Sequence, residues 1–188
     1  MEYPFPTATG QAPAPVPPAA SPAPTGSVSD QDQGVFRRFS FTAAIGPGAL
    51  IGPGENGLAI SYQVARVGMG IDRDMSLLLA YEGTGMGSVN PKTKQDSWLK
   101  QDIVWAGLQH HFERRFFLRG GLGMGFVSEK TSTETFSGGK GIAALVGFGY
   151  ELIQRQHFAL SLDMNASLTH YHDESWKTLG ADIAVSLF

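Results

Sequence analysis

The chain has 188 residues, a net charge of −3 and no cysteine. That length holds one domain with a substantial core, the charge gives no long-range attraction to nucleic acid, and the missing cysteine excludes disulfides, thiolate catalysis and thiolate metal sites. A mean hydropathy of −0.08 does not separate a water-soluble domain from a membrane barrel, because the outward apolar residues of such barrels alternate with polar or small inward ones.

Residues 1–34 contain eight of the eleven prolines and no Lys or Arg. This composition cannot bury enough apolar surface to offset its ordering entropy, and its Pro clusters favour extended polyproline conformations. It is expected to be a disordered tether, with a recruited Pro-rich ligand as the weaker alternative. The start, Met1-Glu2-Tyr3-Pro4, has neither the basic nor the apolar region of an export signal. Three readings stay open: the signal has been removed, the start is internal, or the chain is not exported. The best apolar run, 39–54, is interrupted by Gly46, Pro47, Gly48, Gly52 and Pro53, which argues against a transmembrane helix.

A second unit, 35–188, alternates apolar with small or polar residues and is punctuated by turn chemistry. Phe39, Phe41, Ala43 and Ile45 define one face of a first strand. In the second, about 58–71, Leu58, Ile60, Tyr62 and Val64 begin a stripe that Val67, Met69 and Ile71 continue in the opposite phase, so a bulge is expected. The third covers about 75–82. The fourth, about 98–112, is ambiguous because Ile103 and Trp105 compete with Val104, Ala106 and Leu108.

The clearest alternation comes next. In 116–129, Phe116, Leu118, Leu122, Met124 and Phe126 oppose Phe117, Arg119, Gly121, Gly123 and Gly125. Bulky apolar residues on one face and small ones on the other suit a narrow closed barrel with its apolar face outward. Similar stripes run through 141–153, 157–170 and 178–187, each with an acidic residue on the non-apolar face: Glu151, Asp163 and Asp182. Eight strands result, an even number.

Short links near 72–74, 113–115 and 154–156 alternate with longer ones at 46–57, 83–97 and 130–140, plus a shorter one at 171–175. Short turns at one end and long loops at the other define an up-and-down antiparallel barrel of the outer-membrane kind. Phe39, Phe112, Phe116, Tyr150, Phe158 and Phe188 are expected to form an aromatic girdle at the short-turn end. Tyr81, Trp98, Phe126, Tyr171 and Trp176 are expected to form the other.

The C-terminal segment TLGADIAVSLF, with Thr178, Gly180, Ile183, Val185 and Phe188, resembles the terminal-strand signal of outer-membrane barrels. Residues 36–188 as a whole resemble the small eight-stranded outer membrane protein A/X-like class. The resemblance implies an all-β, closed, eight-stranded transmembrane barrel in a Gram-negative outer membrane. It also implies contact with outer-membrane lipid and lipopolysaccharide, a terminal strand read by the barrel-assembly machinery, and a periplasmic N-terminal arm.

Arg38, Arg119, Glu151, Asp163 and Asp182 fall on the inward face. Isolated buried charges are costly, so these are expected to pair into a salt-bridged plug of the lumen, with Arg119 against Glu151 and Arg38 against Asp182. An Asp163 and Asp182 acid/base pair is the weaker reading. His170-Tyr171-His172 lacks a third metal ligand and reads as a solvated loop. Some small barrels deacylate lipid A with a His and a nearby Ser on the lipid-facing wall, but the His-x-Ser pattern is absent here. The expectation is a non-enzymatic membrane anchor or surface-contact protein with no catalytic residue, metal or cofactor. A lipid-modifying barrel enzyme and a soluble ligand-binding barrel are the alternatives.

Overall fold

The computed structural model describes residues 39–89, 96–112, 115–131, 135–172 and 174–188. The expected tether 1–34 and Arg38 lie outside these residues. Eight strands follow one another: β1 (Phe39–Gly52), β2 (Glu55–Gly70), β3 (Met75–Val89), β4 (Asp96–Phe112), β5 (Phe116–Thr131), β6 (Thr135–Gln154), β7 (Phe158–Tyr171) and β8 (Glu174–Leu187). Every strand pairs antiparallel with its sequence neighbour, and β1 also pairs with β8, which closes the barrel. Closure gives each strand a partner on both sides, so no backbone edge is left to satisfy.

The register fixes the geometry. Stepping around the ladder from Phe41 through Val67, Leu79, Ala106, Leu122, Ala144, Leu168 and Lys177 returns to β1 at Ile51, ten residues above the start. That stagger on eight strands corresponds to a tilt of about 40° and an axial rise of about 2.5 Å per residue. Every residue can then be assigned a height on the wall.

The apolar stripes face outward. Phe39, Leu79, Leu122, Phe148, Leu162 and Ile183 are all exposed, while Arg119, Asp163 and Glu151 are inside at 2%, 1% and 4% exposure. A soluble barrel with an apolar interior is therefore contradicted. The two uncertain phases resolve physically. In β2 the register slips at Val64 and Ala65 against both neighbours, so one extra residue transfers the outward stripe from Tyr62 and Val64 to Val67 and Met69, the bulge that the sequence required. In β4, Ile103 and Trp105 point inward, and Val104, Ala106 and Leu108 point outward.

Two expectations need correction. The segments read as long loops are largely strand: β1 continues to Gly52 and β2 begins at Glu55, with only Pro53 and Gly54 between them. Gly54, at φ 77°, adopts the left-handed conformation that glycine tolerates in such a turn. The asymmetry of the two ends persists as strand extension. Strands of 14–20 residues exceed the roughly 9–11 that cross a bilayer, and their surplus rises as hairpins. Composition hid these extensions because Gly and Pro read as breakers, whereas ladder hydrogen bonds depend on pairing and Pro47 sits where the β1–β8 register lapses. The second correction concerns Tyr171 and Trp176, which are 5% and 9% exposed and point into the barrel instead of joining a girdle.

Candidate functional site

The lumen is layered. Near the short-turn end, Arg66 of β2 and Arg119 of β5 converge on one carboxylate, Asp163 of β7, at 3.2 and 2.5 Å. The Ser161 hydroxyl donates to the other Asp163 oxygen at 2.6 Å. Both guanidinium carbons stand 5.9 Å from the centre of the Phe117 ring, within cation–π range. Gly149 makes this possible: a Cβ there would overlap the Phe117 ring. Small inward residues on β5 and β6 are thus the space into which the charged layer fits.

The predicted pairings change. Arg119 is matched with Asp163 and not with Glu151; Glu151 faces the His111 ring at 3.6 Å. Asp182 accepts hydrogen bonds from Ser61 at 3.2 Å and Asn165 at 2.7 Å, and its expected partner Arg38 lies outside the described residues. Strand tilt explains the difference, because residues level across the sheet are not those level in the lumen. Sequence reading also missed Arg66 and Glu82, both buried. Arg66 lies just beyond the β2 bulge, so its direction could be read only once the phase was settled. Glu82 sits where the third strand was thought to end, and it accepts from the Gln63 amide at 3.2 Å.

Higher in the lumen, the Gln101 amide donates to Thr169 at 2.6 Å, and Ser167 and Thr178 share a hydrogen bond of 2.6 Å. Above them Leu50, Met86, Leu99, Val127, Tyr171 and Trp176 form an apolar cluster. By the barrel lattice these six stand at nearly one height, so they make a lid of side chains across the lumen. The two aromatics assigned from sequence to a girdle supply its bulk. Of its other members only Val127 continues a face that the sequence assigns inward; Leu50 falls in the segment 46–57 read as a link, and Leu99 in the strand of ambiguous phase.

The outer wall carries a second arrangement. Phe39, Phe112, Phe116 and Phe158 are exposed and ring the short-turn end. Roughly 25–30 Å above them stand Lys100, Lys140, His170 and Lys177, within about 4 Å of a common height. The outward positions between are apolar or small, apart from His110 and Tyr150 just above the phenylalanine ring, Tyr62, Tyr81 and, just below the upper ring, Asp102. The Tyr62 hydroxyl donates to Asp102 at 2.6 Å, and Lys100 pairs with Asp102 at 2.8 Å. Across the β7–β8 ladder His170 stands opposite Ser175, with Nδ1 and the hydroxyl 3.1 Å apart. The sequence rejected a His–Ser pair because it considered spacing along one strand; the register provides one between strands. Among the described residues no cluster of three metal-ligating side chains occurs.

A closed eight-stranded barrel, apolar outside over a band close to 25 Å and filled inside by layers of polar and apolar side chains, has the architecture of the small outer-membrane β-barrels. Among solved structures it is similar to the attachment invasion locus protein Ail of Yersinia pestis in complex with the heparin analogue sucrose octasulfate, at TM-score 0.60 and 16% identity over 79% of this chain and 96% of that one. Neisserial surface protein A gives TM-score 0.62 and 12% identity over 80% and 97%. Ail without the heparin analogue gives TM-score 0.57 and 15% identity over 79% and 96%. At these identities the likeness establishes the fold. No family model and no curated protein sequence matches the chain.

Proposed function

We propose that the chain is a non-enzymatic outer-membrane barrel of a Gram-negative bacterium that serves as a membrane anchor or surface-contact protein. The observation that carries this reading is the predominantly apolar belt between the phenylalanine ring and the lysine ring, matched in height to a bilayer core. The charged layer around Asp163 and the apolar lid plug the lumen, so contacts are made by the hairpins and the wall, with lipid and lipopolysaccharide as immediate neighbours. Residues 1–34 act as a periplasmic tether. Gly180, Ile183, Val185 and Phe188 are the positions that the barrel-assembly machinery reads. Expression with a signal peptide, outer-membrane fractionation and a gel of boiled against unboiled sample test the proposal. Heat-modifiable migration in the outer-membrane fraction is expected, and a water-soluble monomer without detergent would overturn it.

A lipid-modifying enzyme is the second reading, favoured by the His170 and Ser175 contact on the outer wall. Mass spectrometry of lipid A with and without expression decides it: loss of an acyl chain that Ser175→Ala abolishes supports the enzyme, and an unchanged profile retires it.

A further inference from the structure

Lysine and arginine are segregated in this barrel. Among the described residues Lys100, Lys130, Lys140 and Lys177 all project outward in the half bearing the long hairpins. Arg66 and Arg119 are in the lumen, and Arg73, Arg115 and Arg155 are in turns at the opposite rim. Lys100 is matched by Asp102. Among the described residues Lys130, Lys140 and Lys177 form no ion pair, and no outward carboxylate stands at the height of Lys140 and Lys177 on β6–β8. The long, flexible lysine stem suits a headgroup boundary, because it can lie along apolar wall while its ammonium reaches polar surroundings.

Directly below Lys177 the wall is indented. A groove of about 400 Å³ runs over Ala144 and Ala166, whose small side chains form its floor between Val146, Leu168, Leu179 and Ile51. Lys177 lies at its upper end, and the lattice sets His170 and Lys140 at nearly the same height on the two preceding strands. An apolar slot with the lysine ammonium groups of Lys177 and Lys140 near its mouth is complementary to an acyl chain ending in an anionic headgroup. The ring lies at the long-hairpin end, the external one in barrels of this architecture, where the leaflet lipid is a phosphorylated glycolipid.

We propose that the groove holds one acyl chain of a diphosphorylated outer-leaflet glycolipid of the lipid A class, with a headgroup phosphate on Lys177 and with His170 and Lys140 beside it. This deepens the outer-membrane reading and rests on it. Each cation–phosphate contact is a charge-assisted hydrogen bond, so loss of one reduces retention by roughly tenfold.

The test is native mass spectrometry of the full chain folded in detergent, with added diphosphoryl lipid A, the same lipid lacking both phosphates, or phosphatidylglycerol. Wild type is expected to retain diphosphoryl lipid A and to lose the dephosphorylated form. Lys177→Gln and the groove-filling Ala166→Phe are each expected to lower retention about tenfold, while Lys177→Arg keeps it. Equal retention by both variants overturns the proposal, as does equal retention of phosphatidylglycerol. Boiled and unboiled samples are run beside each measurement. Heat-modifiable protein with unchanged retention refutes the site alone, whereas a wild type that never folds in detergent refutes the outer-membrane reading and the site together.

Discussion

Asp163→Ala removes the carboxylate shared by two buried guanidinium groups. Arg66 and Arg119 both reach it, and it is their only ion-pair partner among the described residues. The variant leaves two like charges near Phe117 with no ion-pair partner among the described residues, a loss of about 3–5 kcal/mol. Arg119→Met is milder by construction, because Asp163 keeps Arg66 at 3.2 Å and Ser161 at 2.6 Å; the loss is near that of one charged hydrogen bond, about 1.5–3 kcal/mol. Replacing all three charges at once, Arg66→Met, Arg119→Met and Asp163→Leu, restores or exceeds wild-type stability, since an apolar substitute of similar volume avoids the desolvation cost. Urea titration of the barrel folded in vesicles reads all three, by gel mobility and by tryptophan fluorescence, to which the buried Trp105, 1% exposed, contributes. With a slope of about 2 kcal/mol per molar urea, Asp163→Ala lowers the midpoint by roughly 2 M. If Asp163→Ala proves no more damaging than Arg119→Met, the shared-counterion account is wrong.

Other perturbations probe the remaining layers. Leu122→Arg, on the outer wall near the middle of the apolar band, is expected to cost about 2–4 kcal/mol in the same titration, and Trp98→Arg above the lysine ring about 0–1 kcal/mol; equal costs would remove the membrane depth assigned to them. Gly149→Leu forces the Phe117 ring away from both guanidinium groups and is expected to destabilise by about 1–3 kcal/mol, while the same change at exposed Gly87, which faces open space, is silent. Trp176→Ala removes the bulkiest side chain of the apolar lid and is expected to destabilise by about 3–5 kcal/mol in the same titration; an unchanged midpoint would show that the lid is not packed across the lumen. Deleting 1–34 is expected to leave heat-modifiable migration intact, and loss of folding on deletion would contradict the tether assignment.

Strands whose two faces differ sharply were readable directly: β5, β7 and β8 carry bulky outward residues opposite Gly, Ser and acidic ones, so period two gave both element and orientation. The bulge of β2 was readable as well, since Val64 and Val67 cannot share a face without one extra residue. Less was visible toward the long-hairpin end. At 46–57 and 83–97 several outward positions are small or Pro (Pro47, Ala49, Gly83, Gly85 and Gly87), so apolar alternation is weak and Gly-rich composition concealed paired strand. Partners in the lumen were hidden for another reason. Tilt carries each side chain away from its ladder partner, so Arg119 meets Asp163 two strands away, and His170 meets Ser175 only through the β7–β8 register.

The central claim is that the apolar stripes face lipid, and the absence of native cysteine makes it directly measurable. Single cysteines at Leu118, Leu122, Met124 and Phe126, spin-labelled in vesicles, are scored for collision with oxygen and with a water-soluble nickel chelate. The account predicts high oxygen and low nickel collision at Leu118 and Leu122, with nickel rising only toward Phe126 at the lysine ring. Nickel collision as high at Leu122 as at Phe126, or oxygen collision low at all four, would place this wall in water or in a protein core and contradict the account.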